Sequence, residues 1–248
     1  MSDESSPHRT AAVIPAAGRG IRLGPGAPKA LRTLGGTPML VHAVRAMAAS
    51  RAVSLVVVVA PPGEAATVKL LLGEHSLPAR TDYLVVPGGG TRQESVRLGV
   101  EALPDDITTV LVHDAARPLV PVDTVDAVVD AVRAGAPAVV PALPLADTVK
   151  EVEPGEKDQP EPVVATPERA RLRAVQTPQG FDRDTLVRAH LAVPPAGQGA
   201  TDDAGLVEQL GEPVVVVPGH AEAFKVTRPL DMVLAEAVLA RRRANDGF

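Results

Sequence analysis

The stretch "AAVIPAAGRGIRLGPGAPK", Ala11 to Lys29, sets an apolar run against a loop with four glycines, two arginines and a lysine in the fifteen positions from Pro15. A strand that empties into such a loop suits phosphate binding. Glycines let backbone N–H groups approach an anion, and the basic side chains add charge. The spacing excludes two familiar versions. A P-loop requires G-x-x-x-x-G-K-[ST], whereas Lys29 lies between Pro28 and Ala30. A dinucleotide fingerprint requires G-x-G-x-x-G, but Gly18, Gly20 and Gly24 run one residue too long. The next strand, Leu55–Ala60, also ends in Pro61 and Pro62 and not in an acidic residue. An NAD-dependent dehydrogenase fails on these counts.

Outward from this loop, β-branched runs alternate with helical stretches. Strands are predicted at Ala12–Pro15, Leu55–Ala60, Tyr83–Val86, Val110–His113, Ala138–Ala142 and Val214–Val217. Between them "PMLVHAVRAMAAS", "TRQESVRLGVEAL" and "VDTVDAVVDAVRAG" carry apolar residues at helical spacing. The second opens with the capping-box pair Thr91 and Glu94, and the third closes on Gly135, a C′ glycine. Alternation of this kind predicts an α/β domain with a Rossmann-like, mostly parallel twisted sheet flanked by helices. Ligands of such sheets meet the carboxyl ends of the strands, which is where the Pro15–Lys29 loop emerges. "EPGEKDQPEP" interrupts the rhythm between two extended runs, so Asp147–Phe181 reads as a projecting β-hairpin arm. Residues 1–10 read as a disordered polar leader and 11–248 as a single domain.

Composition narrows the function. The chain of 248 residues carries a net charge of −5 and 2% aromatics, which argues against a nucleic-acid platform. It has no cysteine, which removes disulfides, thiolate metal sites and a cysteine nucleophile. No apolar run approaches the ~20 residues of a membrane span, and the N-terminus lacks an apolar signal core, so a cytoplasmic location is expected. A Ser95–His113–Asp114 hydrolase triad is disfavoured. Ser95 sits at a helix start without a G-x-S-x-G elbow, and neighbouring residues of a strand point to opposite faces.

The ordered motifs "PAAGRGIRLG…PK", "GGGTRQESV", "VHDAARP", "ADTVK", "AVQTPQGF", "TDDAGLVE" and "FKVTRPLDMVLAE" span most of the chain. Through them it resembles the 2-C-methyl-D-erythritol 4-phosphate cytidylyltransferases of the non-mevalonate isoprenoid pathway. Ala30 departs from the glutamine that many relatives carry after the Pro-Lys pair. The resemblance implies CMP transfer from CTP to a polyol phosphate with Mg²⁺. Arg22 and Lys29 would be the catalytic transition-state stabilisers. Ala16, Ala17, Gly18, Gly20, Gly89 and Ser95 would frame the nucleotide, with Asp114 beside it and its metal and Lys225 at the phosphates. Thr148, Arg169, Thr201 and Lys225 would hold the second substrate. It also implies a homodimer through the 147–181 arm, with Arg169 reaching the partner's site. No nucleic-acid or membrane partner is implied.

Electrostatics agrees with this reaction. A phosphomonoester is already an anionic nucleophile, so the protein's task is to neutralise a crowded, negatively charged transition state. Two alternatives keep the motifs: a ribitol-5-phosphate cytidylyltransferase, and a non-catalytic nucleotide sensor of the same fold. The retained Arg22, Lys29, Asp114 and Lys225 argue against the sensor.

The "PGGGTRQES" pocket is expected to be too small for a purine and to read cytosine by its polar edge. Pyrophosphate release should therefore be far faster with CTP than with ATP or GTP, and with methylerythritol phosphate than with ribitol phosphate. Equal turnover with ATP would contradict the pyrimidine pocket.

Overall fold

The computed structural model describes residues 9–16, 29–156, 159–193 and 201–245, without the side chain of Lys29. In chain order the elements are β1 (Arg9–Pro15), the small hairpin β2 (Thr33–Leu34) and β3 (Thr37–Pro38), α1 (Met39–Ala49), β4 (Val53–Ala60) and α2 (Ala65–Gly73). There follow β5 (Asp82–Pro87), α3 (Arg92–Glu101), β6 (Ile107–Val112), α4 (Val122–Arg133) and β7 (Ala138–Pro144). After the paired strands β8 (Glu151–Val152) and β9 (Val163–Ala165) come β10 (Arg173–Val175), β11 (Gln179–Asp182) and α5 (Arg183–Ala192). The last are α6 (Asp203–Gln209), β12 (Val214–Pro218) and α7 (Pro229–Asn245).

The central sheet is mixed and mostly parallel, as expected. β6, β1, β4 and β5 lie side by side in parallel, because each is reached by a helical crossover. β11 runs antiparallel between β6 and β7, and β12 pairs parallel with β7. β10 also pairs antiparallel with β7, at Ala142–Pro144. Since β12 and β11 both meet β7 at Ala138 and Val139, they take opposite edges, and β10 continues the edge of β11.

Strand alternation builds a core on each face of the sheet. Ala12, Ile14, Val56 and Val58 pack with α1 and α4, whereas Ala11, Val13, Val57 and Val59 pack with α3, α5 and α6. The amphipathic faces predicted for α1 and α4 are the buried ones, with Val44 and Met47 on α1 and Val125, Val128, Val129 and Val132 on α4. Gly135 has φ +105°. Its N–H donates to Val132 at 2.9 Å and that of Ala136 to Ala131 at 3.2 Å, a Schellman closure. Thr91 accepts from the Glu94 N–H as predicted, but the Glu94 carboxylate accepts from Gly90 and not from Thr91.

Two boundaries differ from the sequence reading. β1 starts at Arg9, inside the stretch assigned to the leader. Thr10 is fully buried and Arg9 pairs with Asp106 at 2.5 Å. The arm is also shorter than 147–181. Gln179 and Phe181 are buried in β11 because their strand supplies the partner that β6 and β7 both require. Within that stretch, β8 and β9 pair with each other as a two-stranded unit apart from the central sheet. Among the described residues, no helix is long and apolar enough to cross a membrane.

Gly99 lets α3 settle onto the sheet. A Cβ there would lie 2.5 Å from Val13 Cγ1 and 2.7 Å from Val59 Cγ2, whereas one at Gly73 on α2 meets nothing within 4 Å. Glycine-to-alanine ordinarily stabilises a helix by about 1 kcal/mol. Gly99→Ala should instead destabilise by roughly 1–3 kcal/mol through overpacking. Urea unfolding should show this loss while Gly73→Ala stays neutral or gains; equal stability of the two variants would contradict the tight contact.

Candidate active site

The site forms where β1, β5 and β6 end. Ala16 is buried, and its N–H donates to Val59 at 2.8 Å, which fastens the start of the first loop between β1 and β4. Ala17, Gly18, Gly20 and Arg22 lie outside the described residues. So does the side chain of Lys29, although its backbone opens a 3-10 turn, Lys29–Leu31.

The glycine loop after β5 is held close to the sheet. The Gly88 N–H donates to Ala60 at 2.8 Å, and a Cβ at Gly88 would stand 2.7 Å from that same carbonyl oxygen. Ser95 is fully buried. Its hydroxyl donates to the Thr91 carbonyl at 2.9 Å and accepts from the Gly89 N–H at 3.2 Å. Ser95 therefore shapes the loop through Gly89, its oxygen being committed to backbone.

His113 follows β6 with 0% exposure. Its Nε2 lies 3.1 Å from the Arg117 carbonyl, which only accepts, so the neutral ring carries its proton there. Nδ1 then accepts from the Thr177 hydroxyl at 3.0 Å, and that oxygen accepts from the Asp114 N–H at 3.0 Å. His113 is thus a packed histidine that fixes the backbone at Asp114.

Asp114 collects cations. Its Oδ2 lies 2.7 Å from Lys225 Nζ and 3.9 Å from Arg117 Nε, and its Oδ1 lies 3.7 Å from Arg92 Nε. Burial alone would raise its pKa. Lys225, Arg92 and Arg117 together outweigh burial and hold the carboxyl down to about 2. Arg117 is chiefly a brace, donating to Ala223 at 2.7 Å and to Val175 at 3.3 Å. The Val226 N–H donates to Ala116 at 2.8 Å, which brings Lys225 alongside.

The expected polyol contacts are less concentrated. Thr148, Arg169 and Thr201 are exposed. Arg169 donates to the Ala146 carbonyl at 2.5 Å, two residues before Thr148, so these two share one edge of the arm. In "TDDAGLVE" Asp202 caps α6, accepting from the Gly205 N–H at 2.9 Å. Asp203 is buried instead, paired with Arg92 at 2.7 Å. Sequence reasoning did not select Arg92 or Thr177 as working groups, and it read Asp203 only with its neighbours, as helix cap or polyol-pocket lining. All three lie in motifs it quoted, but Arg92 meets Asp203 at a separation of 111 positions and Thr177 meets Asp114 at 63.

Among the described residues no cluster of three His, Asp or Glu side chains could hold a metal. Magnesium does not need one, since it is bound through one or two carboxylates plus substrate phosphates. Asp114 is the carboxylate of this cluster that would serve, its Oδ1 standing 3.7 Å from Arg92 Nε and its Oδ2 2.7 Å from Lys225 Nζ.

A sheet with glycine loops at its carboxyl edge and a cation-ringed aspartate is the frame of a nucleotidyltransferase. The family described as IspD, 2-C-methyl-D-erythritol 4-phosphate cytidylyltransferase, matches residues 10–241. A protein of that name from Streptomyces avermitilis is 78% identical, with all of both chains covered. Another from Streptomyces coelicolor is 80% identical over 98% of this chain and 89% of its own. The crystal structure of 4-diphosphocytidyl-2C-methyl-D-erythritol synthase from Anaerococcus prevotii superposes with TM-score 0.78 at 27% identity, covering 94% of this chain and 98% of that one. The chain belongs to the 2-C-methyl-D-erythritol 4-phosphate cytidylyltransferase family.

Burial holds the His113 pKa down from 6.5 to about 4, against the smaller opposing pull of Asp114. Between these values the unfolded chain binds a proton that the folded one refuses. The fold is therefore fully stable above about pH 6.5 and loses stability as pH falls toward 4. By pH 5 the loss should be about 2 kcal/mol. Asp114 acts in a different window, its contribution fading only as pH falls from near 4 toward 2. Denaturation at pH 7 and pH 5 should show a smaller drop for His113→Gln than for wild type; identical drops would contradict a neutral buried ring.

Proposed function

We propose that this chain transfers the CMP group of CTP to 2-C-methyl-D-erythritol 4-phosphate and releases pyrophosphate. Family membership across residues 10–241 is the observation that carries the reading, and it favours methylerythritol phosphate over ribitol phosphate as acceptor. An oxygen of the acceptor phosphate bonds to the α-phosphorus while the bond from that phosphorus to the bridging oxygen breaks. The electron pair leaves with pyrophosphate. No protein base is needed, because the acceptor is already ionised.

The chain's own task is charge and position. Arg22 and Lys29 are assigned to the triphosphate and the developing charge, on the strength of their place in the first loop. Ala16, Ala17, Gly18, Gly20 and Gly89 frame the nucleotide with backbone groups, and Ser95 keeps Gly89 in place. Lys225, 41% exposed at its side chain, can exchange its contact with Asp114 for a substrate phosphate. Asp114 would hold Mg²⁺, whose charge offsets that of the triphosphate. Thr148, Arg169 and Thr201 are assigned to the polyol phosphate. Its use of CTP supports a cytoplasmic setting.

The working unit in this proposal is a homodimer. A lone two-stranded unit is marginal in water, and β9 exposes Val163 and Val164 at 56% and 58%, which supports burial of the arm against a second copy. Arg169 then serves the partner's pocket. Arg169→Ala and Lys29→Ala should each be nearly inactive alone. Co-refolded, they should recover roughly a quarter of wild-type CMP transfer, because about half of the dimers are mixed and each mixed dimer contains one intact composite site of its two. No recovery despite chain exchange verified by mass would place Arg169 in its own subunit's service. Transfer from CTP to methylerythritol phosphate by the wild-type control tests the reaction itself.

A further inference from the structure

Asp203 is 1% exposed, a depth at which a carboxylate is costly unless each oxygen is matched. Both are. Oδ2 takes Arg92 Nη1 at 2.7 Å and Oδ1 takes His190 Nε2 at 3.1 Å. His190 is itself buried, and no described residue bonds its other ring nitrogen, so its one described polar contact is with Asp203. Arg92 in turn sets Nε 3.7 Å from Oδ1 of Asp114. A line of alternating groups thus runs from the interior to the site: His190 on α5, Asp203 on α6, Arg92 on α3, Asp114 after β6, and Lys225. The reaction reading uses the last two and leaves the first three without a task.

The geometry points to Asp203 as a positioning residue for CMP transfer, which locks the Arg92 guanidinium across Oδ1 of Asp114 and is itself held by His190. This rests on the cytidylyl-transfer reading. A long arginine at a glycine loop has many rotamers, and one third of the Arg92 side chain is open to solvent. Two carboxylates, one buried and one at the site, select the rotamer in which its planar fork meets both. The arrangement fixes a positive charge beside the carboxylate before substrate arrives, so little reorganisation is needed when the triphosphate enters.

Steady-state CMP transfer with CTP and methylerythritol phosphate tests this. Asp203→Asn should lower kcat roughly ten- to a hundred-fold, the scale of a small misplacement at a reacting centre, with the KM for the polyol phosphate near wild type. In an Arg92→Gln background the same change should add almost nothing. His190→Gln, which keeps a donor, should retain most activity, and His190→Leu should follow Asp203→Asn. A tie between helices with no other role would lower Tm and leave kcat unchanged in the folded protein. Additive losses in the double variant, or wild-type kcat in folded Asp203→Asn, would overturn the assignment. If Asp203→Asn does not fold, Arg92→Lys decides. It keeps the charge but not the fork, so wild-type kcat there overturns the proposal and a matching loss supports it. An inactive wild-type chain would overturn both readings, whereas an active one with unaffected variants overturns only this one.

Discussion

A carboxylate drawn this far out of water survives only among countercharges, and at Asp114 they come from three separate parts of the chain. Lys225 follows the 3-10 turn Ala221–Ala223, Arg92 opens α3, and Arg117 lies one turn beyond the aspartate itself. Each must arrive in its own position for the charges to balance. The cluster also ties the strand end to neighbouring backbone, since Arg117 donates to both Val175 and Ala223. Removing the carboxylate would leave three neighbouring cations opposed to one another, and removing a cation would leave a half-paired carboxylate. The cluster is thus a structural clamp.

The sheet explains why these groups can meet. β1, β4 and β6 deliver their carboxyl ends to one edge because the helical crossovers between them enforce parallel pairing. β11 enters between β6 and β7 in the opposite sense. The residues just before it, Gln176 and Thr177, consequently return to the same edge. Thr177 meets His113 and Asp114, and Gln176 holds both the N–H and the C=O of His220. One antiparallel strand therefore brings Gln176 and Thr177 to this edge and leads the chain back into the core.

Burial sorts the polar groups by task. His113, Ser95 and Thr177 are buried and satisfied by near neighbours, which makes them supports for backbone that faces the ligand. Lys225 and Arg92 keep part of their surface in solvent. Thr148 and Arg169 are exposed, beside the β8–β9 unit.

The sequence by itself determined the class of fold and the edge that carries the site. All six expected strands are present. The Ala12–Pro15 strand is extended to Arg9–Pro15, and α1, α3 and α4 occupy the stretches read as helical. These features are local: periodicity of two or about 3.6, a cap, a C′ glycine. The motifs around Asp114 and Lys225 were legible because the chemistry needs particular residue types in a short span. Only the tertiary structure decided that Gln179–Asp182 is a core strand, since its short run has a partner only once β6 and β7 stand on either side. The structure alone also divided the adjacent Asp202 and Asp203 into a helix cap and a buried ion pair. A carboxylate's role depends on what surrounds it, and Arg92 lies 111 positions from Asp203 in the chain. Pairing across that distance is set by how helices pack on the sheet, which no local pattern encodes.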